Sequence, residues 1–306
     1  MSEFSQETFD IGLRSAAFAY LDRLTSRGIK RVSTSDLESF SFEGQAIRLK
    51  ATQQGIWKPR QLVAALSICT VYPRADRRPY DDAPGPDGRL RYKWRGYDPN
   101  LSDNRALRRA MELQRPLIWF FGVAPAQYLP IYPVWLRWEE PELQQFVVEL
   151  EVDGVMPGEY VPDPTPLERR YVKRTVLQRL HQPLFRERVL HAYDGRCSLC
   201  RLRHLELLDA AHIVGDAEGG EPVVPNGIAM CKIHHAAFDN QIFGIRPSDY
   251  VVQVEPRVLE ESDGPTLRHA LQEIHGSRLE VPRSRLARPD RDLLGARYET
   301  FLSQAG

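Results

Sequence analysis

Cysteine is scarce in this chain: four in 306 residues. That excludes a secreted scaffold held by disulfides, which needs far denser cysteine. No apolar run approaches the length needed to span a membrane, and the first residues (Met1-Ser-Glu-Phe-Ser-Gln-Glu) have no targeting character. Reduced cysteines and no export signal give cytoplasm as the expected location. There is no surplus of charge either: Lys plus Arg equals Asp plus Glu, at 41 each. The protein as a whole is therefore not a polyanion binder, and any grip on nucleic acid must come from positive charge gathered locally. Repeats and low-complexity tracts are also missing. What remains is an ordinary globular composition, long enough for two domains with separate cores.

The scarce cysteines are not scattered. Three of the four fall between residues 197 and 231, in Cys197-Ser-Leu-Cys200 and Cys231-Lys-Ile-His234-His235. Two Cys-x-x-Cys/His knuckles supply ligands in pairs, as a tetrahedral zinc site requires, so Cys197, Cys200, Cys231 and His234 are the candidate structural zinc ligands. Cys69 stands alone in an apolar run and reads as a small buried hydrophobe.

Between the knuckles lie Asp209-Ala-Ala-His212 and Asn226-Gly227. Residues 207–214 read as a short strand and Val223–Val224 as a second. A helix is expected from about Cys231 to Asn240. Strand, loop, strand and helix around one metal resembles the ββα-metal core of HNH nucleases. The resemblance implies that His212 is the general base that activates water against a phosphodiester, a role suited to a pKa near neutrality. Asn226 holds the loop, and His235 is a ligand for a catalytic Mg2+ or Mn2+. His234 and His235 leave a helix about 100° apart, so one can face the zinc and the other the active site. Asp239 lies four residues beyond His235 on the same helical face and either supports the catalytic metal site or orients His235. Many family members carry an Asp or His just before the base, where this chain has Ala211. Asp209, on the same strand face as Ala211, either replaces that ligand or bonds to backbone while water completes the shell.

Positive charge gathers upstream. Arg169, Arg170, Lys173, Arg174, Arg179, Arg186, Arg188, Arg196, Arg201 and Arg203 face only Glu168, Glu187 and Asp194. Arg169, Arg170, Lys173, Arg174, Arg201 and Arg203 are candidates for gripping a DNA backbone, the alternative being a solvated helix face.

The N-terminal half begins with an amphipathic helix over about 6–26. A further helix over about 104–113 carries Asp103 as its cap, and strands are expected near 117–123, 132–138 and 145–152. All five tryptophans lie in this half, Trp57 and Trp94 in loop-like contexts. The segment from Arg78 to Gly96 holds Tyr80-Asp81-Asp82, an Asp87-Gly88 turn, then Tyr92 and Trp94. Together with the downstream order of Asp98, Asn104-Arg-Ala-Leu107, Pro116 and Tyr128 to Val134, it is similar to the pocket region of SRA domains, which read modified cytosine. The resemblance implies that Tyr80 and Tyr92 sandwich a flipped base and that Asp82, or else Asp81, accepts from its amino group. Ala83-Pro84 breaks the acidic run that such pockets show. The alternative is that the tyrosines pack a barrel wall and the acids cap a turn.

The expected organisation is α+β. An SRA/PUA-like β-barrel domain with flanking helices occupies 1–155, a Pro-rich linker and basic helix 156–193, and a zinc-containing HNH domain with C-terminal helices 194–306. The whole resembles bacterial modification-dependent restriction endonucleases. That implies double-stranded DNA carrying a modified base as partner, and a homodimer to cut both strands. Two other classes stay open: an HNH enzyme whose first domain reads sequence, shape or a backbone modification, and a non-catalytic zinc-containing DNA-binding regulator.

Overall fold

The computed structural model describes residues 3–25, 31–72, 89–150 and 180–305. Tyr80, Asp81, Asp82, the Pro-rich linker, Arg169, Arg170, Lys173, Arg174 and Arg179 lie outside the described residues. The chain divides into two compact units, 1–184 and 185–306.

In the first unit, α1 (Glu3–Thr25) packs Leu13, Ala17 and Leu21 into an apolar cluster with Phe120 and Ile118. Their spacing by four residues puts them on one helical face. β1 (Val32–Ser33) leads into α2 (Thr34–Glu38), whose Ser33 and Asp36 form a reciprocal capping box. The hairpin β2 (Ser41–Phe42) and β3 (Gln45–Ala46) comes next. The main sheet contains β4 (Ile56–Trp57), β5 (Ser67–Thr70), β6 (Leu90–Lys93), β7 (Leu117–Ala124), β8 (Gln127–Glu140) and β9 (Gln145–Leu150). Its path is β4-β5-β7-β8-β9-β6, with β1 pairing β8, and only β5 and β7 run parallel. β7 is buried along its whole length, as a continuous apolar run should be when both faces are covered.

The two ends of that path approach each other. The Tyr92 hydroxyl on β6 donates to the Gly55 carbonyl, just before β4, at 2.8 Å. The described strands thus curl into a half-barrel. Trp57 lies in β4 rather than a loop, with its indole N–H on the Arg48 carbonyl at 2.7 Å. The helix α3 (Ser102–Glu112) starts slightly earlier than expected. Leu101 sits at the cap, and Asp103 instead lies in the first turn, where it pairs with Arg95.

The second unit packs one continuous core. Residues 185–192 of α4 (Gln182–Ala192) bury Phe185, Val189 and Leu190 against the antiparallel pair β10 (Leu208–His212) and β11 (Gly227–Cys231). α5 (Lys232–Asp239) closes the ββα unit. Beyond it lie the hairpin β12 (Phe243–Ile245) and β13 (Val252–Val254), α6 (Pro256–Glu260), α7 (Pro265–Leu267) running into a π-helical turn at 268–272, and α8 (Arg291–Ala305). The strand expected at Val223–Val224 is instead a 3-10 turn over Val224–Asn226. Pro225 has no N–H for a ladder, so the second strand starts only at Gly227. Among the described residues, no helix is long and apolar enough to cross a membrane.

Candidate nuclease site

The ββα unit makes two clusters, one at His234 and one at His235, on different faces of one helix. Cys197 and Cys200 come from the turn after α4, Cys231 from the end of β11, and His234 from the first turn of α5. Their ligand atoms all lie within 4.8 Å of one another. Cys197 Sγ and Cys231 Sγ stand 3.3 and 3.2 Å from His234 Nδ1, and Cys200 Sγ is 3.9 Å from Cys231 Sγ. Ligands about 2.0–2.3 Å from a central zinc would be spaced much like this. The buried His234 ring turns Nε2 to the Ala270 carbonyl at 2.8 Å. That contact makes Nε2 the protonated nitrogen and leaves the Nδ1 lone pair facing the thiols, the arrangement a metal-ligating histidine needs. The three thiols act on one another: a hydrogen bond from Cys231 holds the Cys197 thiol far below its ordinary range, while the same bond pushes the Cys231 thiol up and burial raises that of Cys200. A thiolate is the form that binds metal. The three cysteines and His234 therefore fit a structural zinc.

His235, one residue on, faces the other way. Its Nδ1 is 3.8 Å from Asp209 Oδ2, and its Nε2 is 3.3 Å from Asp239 Oδ2. Each carboxylate also meets an arginine at 3.6 Å: Arg186 for Asp209 and Arg297 for Asp239. The hydrogen bond to His235 holds the Asp209 carboxyl below the usual carboxylate range. Ala211 is fully buried, so its position offers no ligand. Asp209, His235 and Asp239 are all partly open to solvent, with the two carboxylates on different ring nitrogens of His235: an imidazole bound to a cation through one nitrogen would be oriented by the carboxylate at the other.

His212 ends β10 opposite Gly227. Its ring stacks on Phe185, with centroids 4.0 Å apart and planes 15° from parallel. Nε2 is buried without a hydrogen bond, the Asp216 carboxylate standing 3.6 Å away. Burial pushes the imidazole pKa down, and Asp216 opposes this only in part. His212 is thus held neutral near pH 7, with a ring nitrogen free to accept a proton.

Asn226 clamps the loop that leaves His212. Its Oδ1 accepts from Val214 N–H at 2.9 Å, and its Nδ2 donates to the Val214 and Glu221 carbonyls at 3.0 and 2.9 Å. The side chain is buried and spends both donors and one acceptor lone pair on the loop ends. Two glycines permit the close approach. A Cβ at Gly220 would collide with the Val214 carbonyl, and one at Gly227 would lie 2.5 Å from Val189 Cγ2.

Phe185, Asp216, Arg186 and Arg297 belong to this site, and spacing does not single them out as its members. Asp216 lies four residues after His212, a weak signal in a loop. Arg297, from α8, also donates to the Ile213 and Phe238 carbonyls at 3.1 and 2.8 Å, and sequence distance hides it. Arg186 is engaged by the Leu205 and Leu208 carbonyls besides Glu187. Arg201 pairs with Glu280, and Arg203 is exposed.

In the first unit, Tyr92 and Trp94 line a cavity of about 550 Å³ with Gln53, Gln54, Thr70 and Lys93. The Tyr92 ring meets Trp119 edge-on at 5.6 Å. The loop after Trp94 is pinned from α3: buried Asn104 accepts from Arg95 N–H at 2.8 Å and donates to the Arg95 and Asp98 carbonyls. Trp94 Nε1 is buried without a hydrogen bond. Cys69, at the same cavity, is buried, and desolvation pushes its thiol up to about 11.

Residues 197–246 match the HNH_2 family, described as HNH endonuclease. The chain thus carries an HNH endonuclease domain, that of a hydrolase. No curated protein matches the chain. Among solved structures, a modification-dependent restriction endonuclease, TagI, is similar at 18% identity over 82% of this chain and 86% of that one, with a TM-score of 0.29. The type IV phosphorothioation-dependent restriction endonuclease ScoMcrA is similar at 15% identity and a TM-score of 0.23, over 83% of this chain; the match spans about half (52%) of that longer chain.

Proposed function

We infer that this protein is a modification-dependent DNA endonuclease, in which the first unit senses a modified cytosine and the second hydrolyses the phosphodiester. One observation carries the nuclease reading. A buried His212 Nε2 with no hydrogen bond and a His235 set between Asp209 and Asp239 share a small ββα unit with a zinc-type knot, within a segment that matches HNH endonucleases.

Each group has a chemical role. His212 Nε2 takes a proton from water as the water oxygen bonds to phosphorus, and Phe185 and Asp216 keep the ring oriented. The P–O3′ bond breaks, leaving a 5′-phosphate and a 3′-oxygen that takes a proton from solvent. Asn226 holds the loop that carries the base. A divalent cation (Mg2+ or Mn2+) held by His235 and Asp209 would neutralise the phosphate and stabilise the leaving oxygen, with Asp239 supporting the site by orienting His235 from its other ring nitrogen. Here Asp209 does the work that Ala211 cannot. Cys197, Cys200, Cys231 and His234 would hold a structural zinc. One such site cuts one strand, so a double-strand break calls for a second copy of the chain.

The sensor reading is supported by the curled sheet and the cavity against Tyr92 and Trp94, large enough to admit a flipped base. Tyr92 offers an aromatic face and Trp94 an unspent donor. In the same reading the half-barrel is SRA-like, with Tyr80, Asp81 and Asp82 completing the pocket and Arg169, Arg170, Lys173, Arg174, Arg201 and Arg203 meeting the backbone. The test uses matched plasmids, unmodified or carrying 5-methyl, 5-hydroxymethyl or glucosylated cytosine. Parent protein is expected to cut only a modified plasmid, and Trp94→Ala is expected to lose that preference. Equal cutting of all plasmids would remove the sensor and leave the nuclease.

A further inference from the structure

Residues 278–291 hold Arg278, Arg283, Arg285, Arg288 and Arg291 against only Glu280 and Asp290. In a chain of zero net charge this is a local surplus. Both acids have other partners, and even with both counted the arginines outnumber them. Glu280 pairs with Arg201, and Asp290 turns Oδ1 onto the first N–H groups of α8, those of Asp292 at 2.8 Å and Leu293 at 3.1 Å.

Arg285, Arg288 and Arg291 line a cavity of about 540 Å³ with Pro225, Tyr250 and Asp290. Among the described residues, none of the three makes an ion pair. What they touch is uncharged: Arg288 Nε donates to the Pro282 carbonyl at 3.1 Å, and Arg291 lies over the Tyr250 ring at 5.4 Å. The frame around them is tied down. Tyr250 donates to the Pro289 carbonyl at 3.2 Å, and Asp290 N–H to the Pro225 carbonyl at 2.9 Å. Pro225 precedes Asn226, so this cavity shares a wall with the loop that holds the nuclease histidine.

We propose that Arg285, Arg288 and Arg291 form a phosphodiester-binding subsite that grips the DNA backbone beside the nuclease site. The proposal rests on the nuclease reading, which supplies a polyanionic substrate. A guanidinium fork matches phosphate oxygens, and three such forks line this one cavity. Such contacts position the duplex without reading bases. The subsite therefore adds affinity equally to modified and unmodified DNA, which separates it from the cavity at Tyr92.

The test is duplex binding by His212→Ala protein across a series of salt concentrations, with an unmodified oligonucleotide. The slope of log K against log salt is about −0.9 for each phosphate neutralised. R285Q/R288Q/R291Q is expected to flatten that slope by roughly 2–3, while R285K/R288K/R291K keeps it. Arg285→Gln alone, at a side chain with no hydrogen bond to lose, is expected to flatten it by about 0.9 and guards against misfolding of the triple variant. An unchanged slope in the glutamine variants overturns the subsite while leaving the nuclease reading intact. Absence of salt-dependent binding by the His212→Ala parent overturns the DNA reading, and the subsite with it.

Discussion

The two units solve the problem of holding a site rigid in different ways. The first leans on area. A seven-stranded sheet and two apolar clusters surround Trp119, Phe120, Phe121 and Phe146, all buried to within 1%. Its cavity is a by-product of how that sheet curls. The second unit places its chemistry on two five-residue strands and an eight-residue helix, too little to be stable alone. It compensates with a metal-type knot at the start of α5 and an asparagine clamp on the loop between β10 and β11. A site made by sheet curvature depends on many weak contacts; a site made by ligands and clamps depends on a few strong ones. Mutations should therefore cost stability without touching the chemistry in one unit, and disturb one local cluster at a time in the other.

The largest expected effect is at the knot. Structural zinc in small domains is worth about 10 kcal/mol or more. Cys231→Ser should release the metal and remove hydrogen-exchange protection from β10, β11 and α5. Protection in β7 and β8 should persist, and loss in both units together would break the comparison. Next in size is Phe120→Ala, which empties a core position of the first unit and should cost about 3–5 kcal/mol on thermal unfolding. Zinc content should not change. Asn226→Ala leaves the Val214 and Glu221 backbone groups unpaired and should cost about 1–3 kcal/mol. Cleavage should fall with zinc retained, because the clamp and the knot are separate.

The smallest effect sharpens the picture of the base. Burial lowers the His212 pKa from its ordinary value near 6.5. Its neutral, proton-accepting form is therefore populated through neutral pH and lost only as pH falls through a value below that point. The acid limb of the cleavage rate should lie below pH 6.5, and Asp216→Asn, which removes the charge that raises this pKa, should move it lower still. A limb above 6.5 would mean another group is titrating.

How much of this is legible in the sequence depends on how local each feature is. Cys197, Cys200, Cys231 and His234 come in two tight pairs, and spacing alone suggests a shared metal. The divergence of His234 and His235 comes from helical geometry. By contrast, Phe185 under His212 and Arg297 beside Asp239 join residues far apart in the chain, which no periodicity encodes. Val223–Val224 reads as a strand because β-branched residues favour strands, but Pro225 and the Asn226 clamp make a turn there instead. The meeting of β4 and β6 through Tyr92 and Gly55 is likewise a tertiary event.

The most direct measurement is single-turnover cleavage of a cut-competent duplex by parent protein and His212→Ala, with bound zinc measured in both. Removing a general base should slow cleavage by about 10²–10⁴-fold. Zinc content and duplex affinity should stay as they were. Cleavage by His212→Ala at the parent rate would contradict the account, because the catalytic proton would then go to some group other than His212.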